Sequence, residues 1–204
     1  LKFILLKIQR IEHSMNTAIQ SPVLSARANA WLKTYYFLRA CVSAVWILAA
    51  LTIGSDNPLI GMILLVAYPA WDAAANYLDA RQSGGARRNP TQMVNVVASG
   101  FVTVCIAVAL TVGMHAVLGV FGVWAALAGM LQLATGVRRW KTHGAQWPMI
   151  LSGAQSTLAG ALFIQRAAGP DLPGIADIAP YAAFGAFYFL VSGIAMVVKD
   201  LRRP

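Results

Sequence analysis

Residues 34–77 read TYYFLRACVSAVWILAALTI (Thr34–Ile53), GSDN (Gly54–Asn57) and PLIGMILLVAYPAWDAAANY (Pro58–Tyr77). Two long apolar runs are joined by a short polar turn. A run of about 20 apolar residues is what covers the roughly 30 Å hydrocarbon core of a bilayer. Lipid offers the backbone no hydrogen-bond partners, so each run must satisfy its own and is read as a helix. The same pattern recurs at Thr91–Val112, Ala116–Val137, Trp147–Gln165 and Ile178–Val198. The expected fold is therefore an all-α integral membrane protein. It has six transmembrane helices in three similar hairpins, a domain over residues 31–204 that follows a segment over residues 1–30.

Composition agrees. Hydrophobic residues make up 58% of the 204-residue chain and charged residues 11%, against roughly 25% charged in soluble domains. The mean hydropathy is +0.63. A net charge of +9 would point to nucleic acid in a soluble protein. Here the charges fall between the spans, where Lys and Arg set orientation and meet anionic headgroups. The expected partner is the lipid bilayer and not nucleic acid. Cys41 and Cys105 lie inside apolar runs with no CxxC or zinc spacing, and read as small hydrophobes.

The basic residues sort by side. Lys2, Lys7, Arg10, Arg27 and Lys33 precede the first span. Arg81, Arg87 and Arg88 follow the second, Arg138, Arg139 and Lys141 the fourth, and Lys199, Arg202 and Arg203 the sixth. In a six-span chain these fourteen share one side, and the other side has only Arg166. The positive-inside rule then places both termini in the cytoplasm, across a bacterial inner membrane. Leu1–Glu12 spaces Leu1, Ile4, Leu5, Ile8 and Ile11 as one helical face with Lys2, Lys7 and Arg10 among them. It reads either as a basic amphipathic helix on the inner leaflet or as non-native sequence ahead of a start at Met15.

An internal repeat is visible. Asp72, Gly129 and Gly193 lie nine residues before Arg81, Arg138 and Arg202, so one small or special residue recurs at one depth. Gly122, Gly129 and Gly136 recur every seven residues on the fourth span, Gly153 and Gly160 on the fifth, and Gly100 marks the third. Small residues let membrane helices approach closely, and a seven-residue seam favours left-handed packing. These glycines, with Gly193, are read as packing positions, within the chain or in a homo-oligomer.

Arg39 and Asp72 sit inside the first two spans. At 1.5 Å rise per residue both lie roughly 8–14 Å in from the basic end. Each charge costs about 2.5–3.5 kcal/mol at a helix centre, so three readings stand. The two pair, Arg39 snorkels to the headgroups, or Asp72 is protonated. An intramembrane ionisable residue is also a candidate proton or ligand site. Asn95, Ser99 and Thr103 share a face of the third span, and Gln132 and Gln155 lie in the fourth and fifth; these read as interhelical hydrogen bonds. Pro69 should kink the second span. Trp31, Tyr35, Tyr36, Trp140, Trp147 and Tyr181 read as interface anchors, and Asp79 as an interfacial acid. His13, His115 and His143 have no ligand spacing, and no HExxH, GxSxG, Walker A or GxGxxG motif occurs. No catalytic residue, metal or cofactor is assigned, and the chain does not read as an enzyme.

Three short hairpins, each with small residues in both spans and closed by a cytoplasmic Arg, resemble the HdeD family of small bacterial inner-membrane proteins. In that family the first repeat tends to read leucine-arginine-glycine and then aspartate-glycine. Leu38-Arg39-Ala40 and Trp71-Asp72-Ala73 keep the charged residue and carry alanine for each glycine. Gly122–Gly129 followed by Arg138-Arg139 is similar to the second repeat, and the likeness runs from about Lys33 to Arg203. The resemblance implies a six-span inner-membrane protein, with some members of the family tied to acid resistance. The competing reading is a small transporter or channel for a solute or proton, since repeats and interrupted helices near the midplane mark such proteins.

Overall fold

What starts and stops each helix is plain in the sequence. The computed structural model describes residues 29–139 and 147–202, and no strand occurs among them. Helix α1 covers 29–51 and breaks at Thr52, and α2 (Ile53–Asp56) resumes it for one turn. Then come α3 (Pro58–Gln82), α4 (Pro90–Val112), α5 (Met114–Arg139), α6 (Trp147–Ala167) and α7 (Ala179–Leu201). Asn57 Oδ1 caps α3 by accepting from the amides of Leu59 and Ile60 at 3.0 and 3.2 Å. Pro58 and Pro90 open α3 and α4, where the missing N–H costs nothing.

Among the described residues, five helical stretches are long and apolar enough to cross a membrane: Asn29–Asp56, Pro58–Gln82, Pro90–Val112, Met114–Ala134 and Ile175–Leu201. The chain is thus a multi-pass helical membrane protein. The remaining long helix, α6, has 21 residues but carries Ser152, Gln155, Ser156, Thr157 and Gln165. The expected loops at Gly54–Asn57 and Gly113–His115 shrink, because helix continues to Asp56 and resumes at Met114. Only Asn57 and Gly113 lie outside helix there. Gly113 turns the chain alone with φ 138°, a conformation closed to residues with a Cβ. At the basic end Gly84 and Gly85 take φ 102° and 91°. There Asn89 Nδ2 donates to the carbonyls of Ser83 and Gly85 at 2.9 and 3.0 Å. At the other end Arg166 pairs with Asp177 at 2.9 Å.

Glycines set how close the helices come. A Cβ on Gly160 would lie 2.4 Å from the amide nitrogen of Ala126 and 2.6 Å from the carbonyl of Gly122. One on Gly129 would lie 2.4 Å from the amide of Thr157 and 2.7 Å from the carbonyl of Gly153. Here α5 and α6 touch backbone to backbone, Gly122 facing Gly160 and Gly129 facing Gly153. Gly193 seats the ring of Phe37, with a Cβ there only 3.1 Å from it. Gly61 lies against the carbonyl of Gly54, a close approach of α3 to α2 that the sequence reading did not include. Around Gly100 nothing among the described residues lies within 4 Å of where its Cβ would be, so it packs against no helix described here. The packing of Gly136 lies outside what is described.

The centre is aromatic. Trp46 of α1 meets Tyr68 of α3 with ring centroids 4.7 Å apart, and Tyr68 meets Phe121 and Trp124 of α5 at 6.4 and 6.2 Å. Leu65, Ile106 and Leu118 complete the buried cluster. Trp46 Nε1 donates to the carbonyl of Leu64 at 2.8 Å, in the turn that Pro69 disturbs. The tightest contact joins helices that are consecutive in the chain but do not fall in one expected hairpin. The glycine seam joins α5 to α6, which belong to different hairpins, and Phe37 on Gly193 joins the first span to the last.

Candidate functional site

The candidate site is built on three helices. Arg39 comes from α1, Asp72 and Asn76 from α3, and Ser99 from α4. Arg39 Nη2 bonds Asp72 Oδ1 directly, an ion pair whose side chains are 11% and 21% exposed. Ser99 Oγ donates to Asp72 Oδ2 at 2.6 Å. Asn76 Nδ2, one turn along α3, donates to Asp72 Oδ2 at 3.2 Å and to its carbonyl at 2.8 Å. Both carboxylate oxygens are therefore engaged. Arg39 Nη1 donates to Tyr35 Oη at 3.0 Å. The guanidinium lies 4.3 Å from the centroid of Phe189 on α7, a cation–π contact. Four helices thus meet at one charge pair.

Its placement follows from helix geometry. Tyr35 and Arg39 are four apart on α1, Asp72 and Asn76 four apart on α3, and such pairs share a face. Ser99 is 2% exposed. Two buried donors lack a hydrogen-bond partner among the described residues: Arg39 Nε and Trp71 Nε1. Trp71 borders a cavity of about 110 Å³ between α1 and α3, lined also by Val42, Ser43, Trp46, Ala67 and Tyr68.

A second cluster lies toward the basic end. Asp79 is 8% exposed and accepts from Trp31 Nε1 at 3.1 Å, Ser83 Oγ at 3.2 Å and Gln92 Nε2 at 3.4 Å. Lys33 pairs with Asp200 at 2.6 Å, tying the first helix to the last.

Several sequence expectations change here. Asp79, read as an interfacial acid, is buried among three donors. Tyr35, read as an interface anchor, is 7% exposed and bound to Arg39. Trp31 is anchored on Asp79. Of the expected face on α4, Ser99 bonds Asp72, Thr103 bonds the Ser99 carbonyl of its own helix at 2.8 Å, and Asn95 is exposed. Gln155 accepts from Tyr188 of α7. Trp140, His143 and the 1–28 segment with its proposed amphipathic helix lie outside the described residues. No metal-ligand cluster occurs among the described residues.

Comparison with protein-family models, curated proteins and solved structures finds no match to this chain.

Proposed function

We propose that this chain is a bacterial inner-membrane protein, with both ends in the cytoplasm, that serves acid or envelope-stress tolerance through assembly and contact. It does so without bond-making chemistry. The observation that carries the reading is the full engagement of the Asp72 carboxylate beside Arg39, whose Nε alone has no partner among the described residues. Both oxygens of Asp72 are bonded, and Arg39 is held by Tyr35, Asp72 and Phe189. A pair engaged in this way holds α1, α3, α4 and α7 in register and presents no free base or nucleophile. Beside it the centre is filled by Trp46, Leu65, Tyr68 and Phe121. The stress-tolerance part rests on the resemblance of the hairpins to the HdeD family, and the orientation rests on the fourteen one-sided basic residues. The lipid bilayer is the partner, and a homo-oligomer is the proposed assembly.

Deletion of the coding sequence in its own organism, followed by acid challenge, tests the reading. Survival should fall, and the wild-type chain should restore it. Purified protein in liposomes should pass protons and small solutes no faster than empty liposomes. Solute or proton flux above that background overturns the reading. It would establish the second one, a small transporter or channel, which has its own observation. Pro69 lies inside the continuous helix α3 one turn from Asp72, next to residues that line the 110 Å³ cavity, and transporter sites sit where helices are weakened near the midplane.

A further inference from the structure

The inner faces of α4 and α5 change character on the way from Gly113 to the basic end. On α4, Ala109, Ile106, Val102 and Ser99 are buried in turn. Asn95, one turn further on the same face, is exposed. On α5, Val117, Phe121 and Ala125 are buried. Ala128 continues that face and is exposed, and Gln132 after it is half-exposed. The two helices have different partners at this end. Ser99 Oγ and Gln92 Nε2 hold α4 to α3 through Asp72 and Asp79. The glycine seam holds α5 to α6 as far as Gly129 and Gly153. Gly113 alone joins α4 to α5 at the opposite end. The pairs α3–α4 and α5–α6 therefore part as a wedge that opens toward the basic end. Side-chain size agrees. Leu65, Ile106, Val117, Leu118 and Phe121 fill the half near Gly113. The residues that α3 buries in its basic half are Ala75, Asn76, Asp79 and Ala80, all small or polar.

The chemistry of the walls identifies what fills the wedge. Asn95 and Gln132 carry carboxamides on faces where the turns nearer Gly113 are apolar. An acyl chain in the wedge would leave both amides without hydrogen-bond partners, which hydrocarbon does not supply. Polar residues at membrane depth face a bundle interior or a water-filled cavity. Asp72 lies roughly 15 Å in from the end of α3. It keeps 21% exposure although both its oxygens are bonded. We propose that the wedge is an aqueous vestibule, open at the basic end, that brings water to the Arg39–Asp72 pair. Val102, Ile106 and Phe121 close it toward the other end. Water and the protons it carries reach the pair from one side, and nothing passes through. The vestibule depends neither on the function proposed above nor on which side of the membrane the basic end occupies.

Cysteine accessibility of the full chain in membrane vesicles tests this, in a background of Cys41→Ala and Cys105→Ala. The probe is a membrane-impermeant trimethylammonium methanethiosulfonate, which reacts with a thiolate and so needs water at the sulfur. Arg88→Cys, on the exposed loop, reports which vesicle face is the basic end. Asn95→Cys, Ala128→Cys and Gln132→Cys should be labelled from that face and not from the other. Val97 and Met130 share their depth but lie on outer faces, 68% and 47% exposed. Val97→Cys and Met130→Cys should react about a hundredfold more slowly, the factor set by the cost of a charge in hydrocarbon. Ala125→Cys, at the closed floor, should be as slow. Equal rates on the inner and outer faces overturn the proposal. Slow labelling at all three inner positions assigns the wedge to lipid or to another stretch of protein, and overturns it too. Labelling from both vesicle faces makes the wedge a continuous pore and overturns the closed floor. Should either amide variant fail to fold, Ala128→Cys, a small change at an exposed position, decides alone.

Discussion

Asp72 sits where a single lost partner is expensive. Removing Arg39 strands a carboxylate among apolar helices, and removing Asp72 strands a guanidinium. Removing both leaves neither. Breaking one half of a buried pair typically costs about 3–5 kcal/mol, softened here by residual exposure of 11% and 21%. A double-mutant cycle on detergent-solubilised protein should therefore show Arg39→Leu and Asp72→Leu each more damaging than the combination. A coupling energy near zero would sink the pair as a stabilising unit. Ser99→Ala should cost less, about 1–2 kcal/mol, because Asn76 still serves Asp72 Oδ2; thermal unfolding measures it. How much of this was readable varies by residue. Opposite charges at equal depth on neighbouring spans were visible from spacing alone. Ser99 was legible as an interhelical hydrogen-bonding residue but not its partner, and the ring of Phe189 and the phenol of Tyr35 were not legible. Which way a helix is rotated toward its neighbours depends on packing between distant segments, and in lipid apolar residues cover every face.

Glycine spacing predicted a seam, and the backbones of α5 and α6 meet along one. The spacing did not say which helix faces which. The repeat paired spans by chain order, whereas a glycine packs wherever another helix presents a matching hollow. Gly100 shows the limit. Its sequence context resembles that of Gly153, yet open space surrounds it. A contrast between these glycines follows. Gly160→Ala would force a methyl against the backbone of Ala126 and should destabilise by about 1–3 kcal/mol, the usual cost of overpacking. Gly100→Ala meets nothing and should stabilise by up to about 1 kcal/mol, the helix-propensity difference. Melting of both variants in one detergent checks the pair. Equal shifts would mean that α5 and α6 do not touch as closely as described.

At the scale of the molecule, the two ends of the bundle differ in chemistry. The tight turns at Asn57 and Gly113 and the Arg166–Asp177 pair lie at one end. Arg81, Arg87, Arg88, Lys199 and Arg202 lie at the other. In the orientation proposed above, which rests on the positive-inside rule, the second end is the cytoplasmic one. A phosphatase fusion at Asp171 should be active and one at Pro204 inactive; the reverse result would invert the topology. The charge pair also bears on how the chain is made. Asp72 follows Arg39 by 33 residues. At about 5–20 residues per second of synthesis, roughly 2–7 s pass between them. The first span therefore emerges carrying a cation whose counter-charge has not yet emerged to meet it. Insertion machinery or anionic headgroups must hold Arg39 during that interval, and the bundle closes only once the second span arrives.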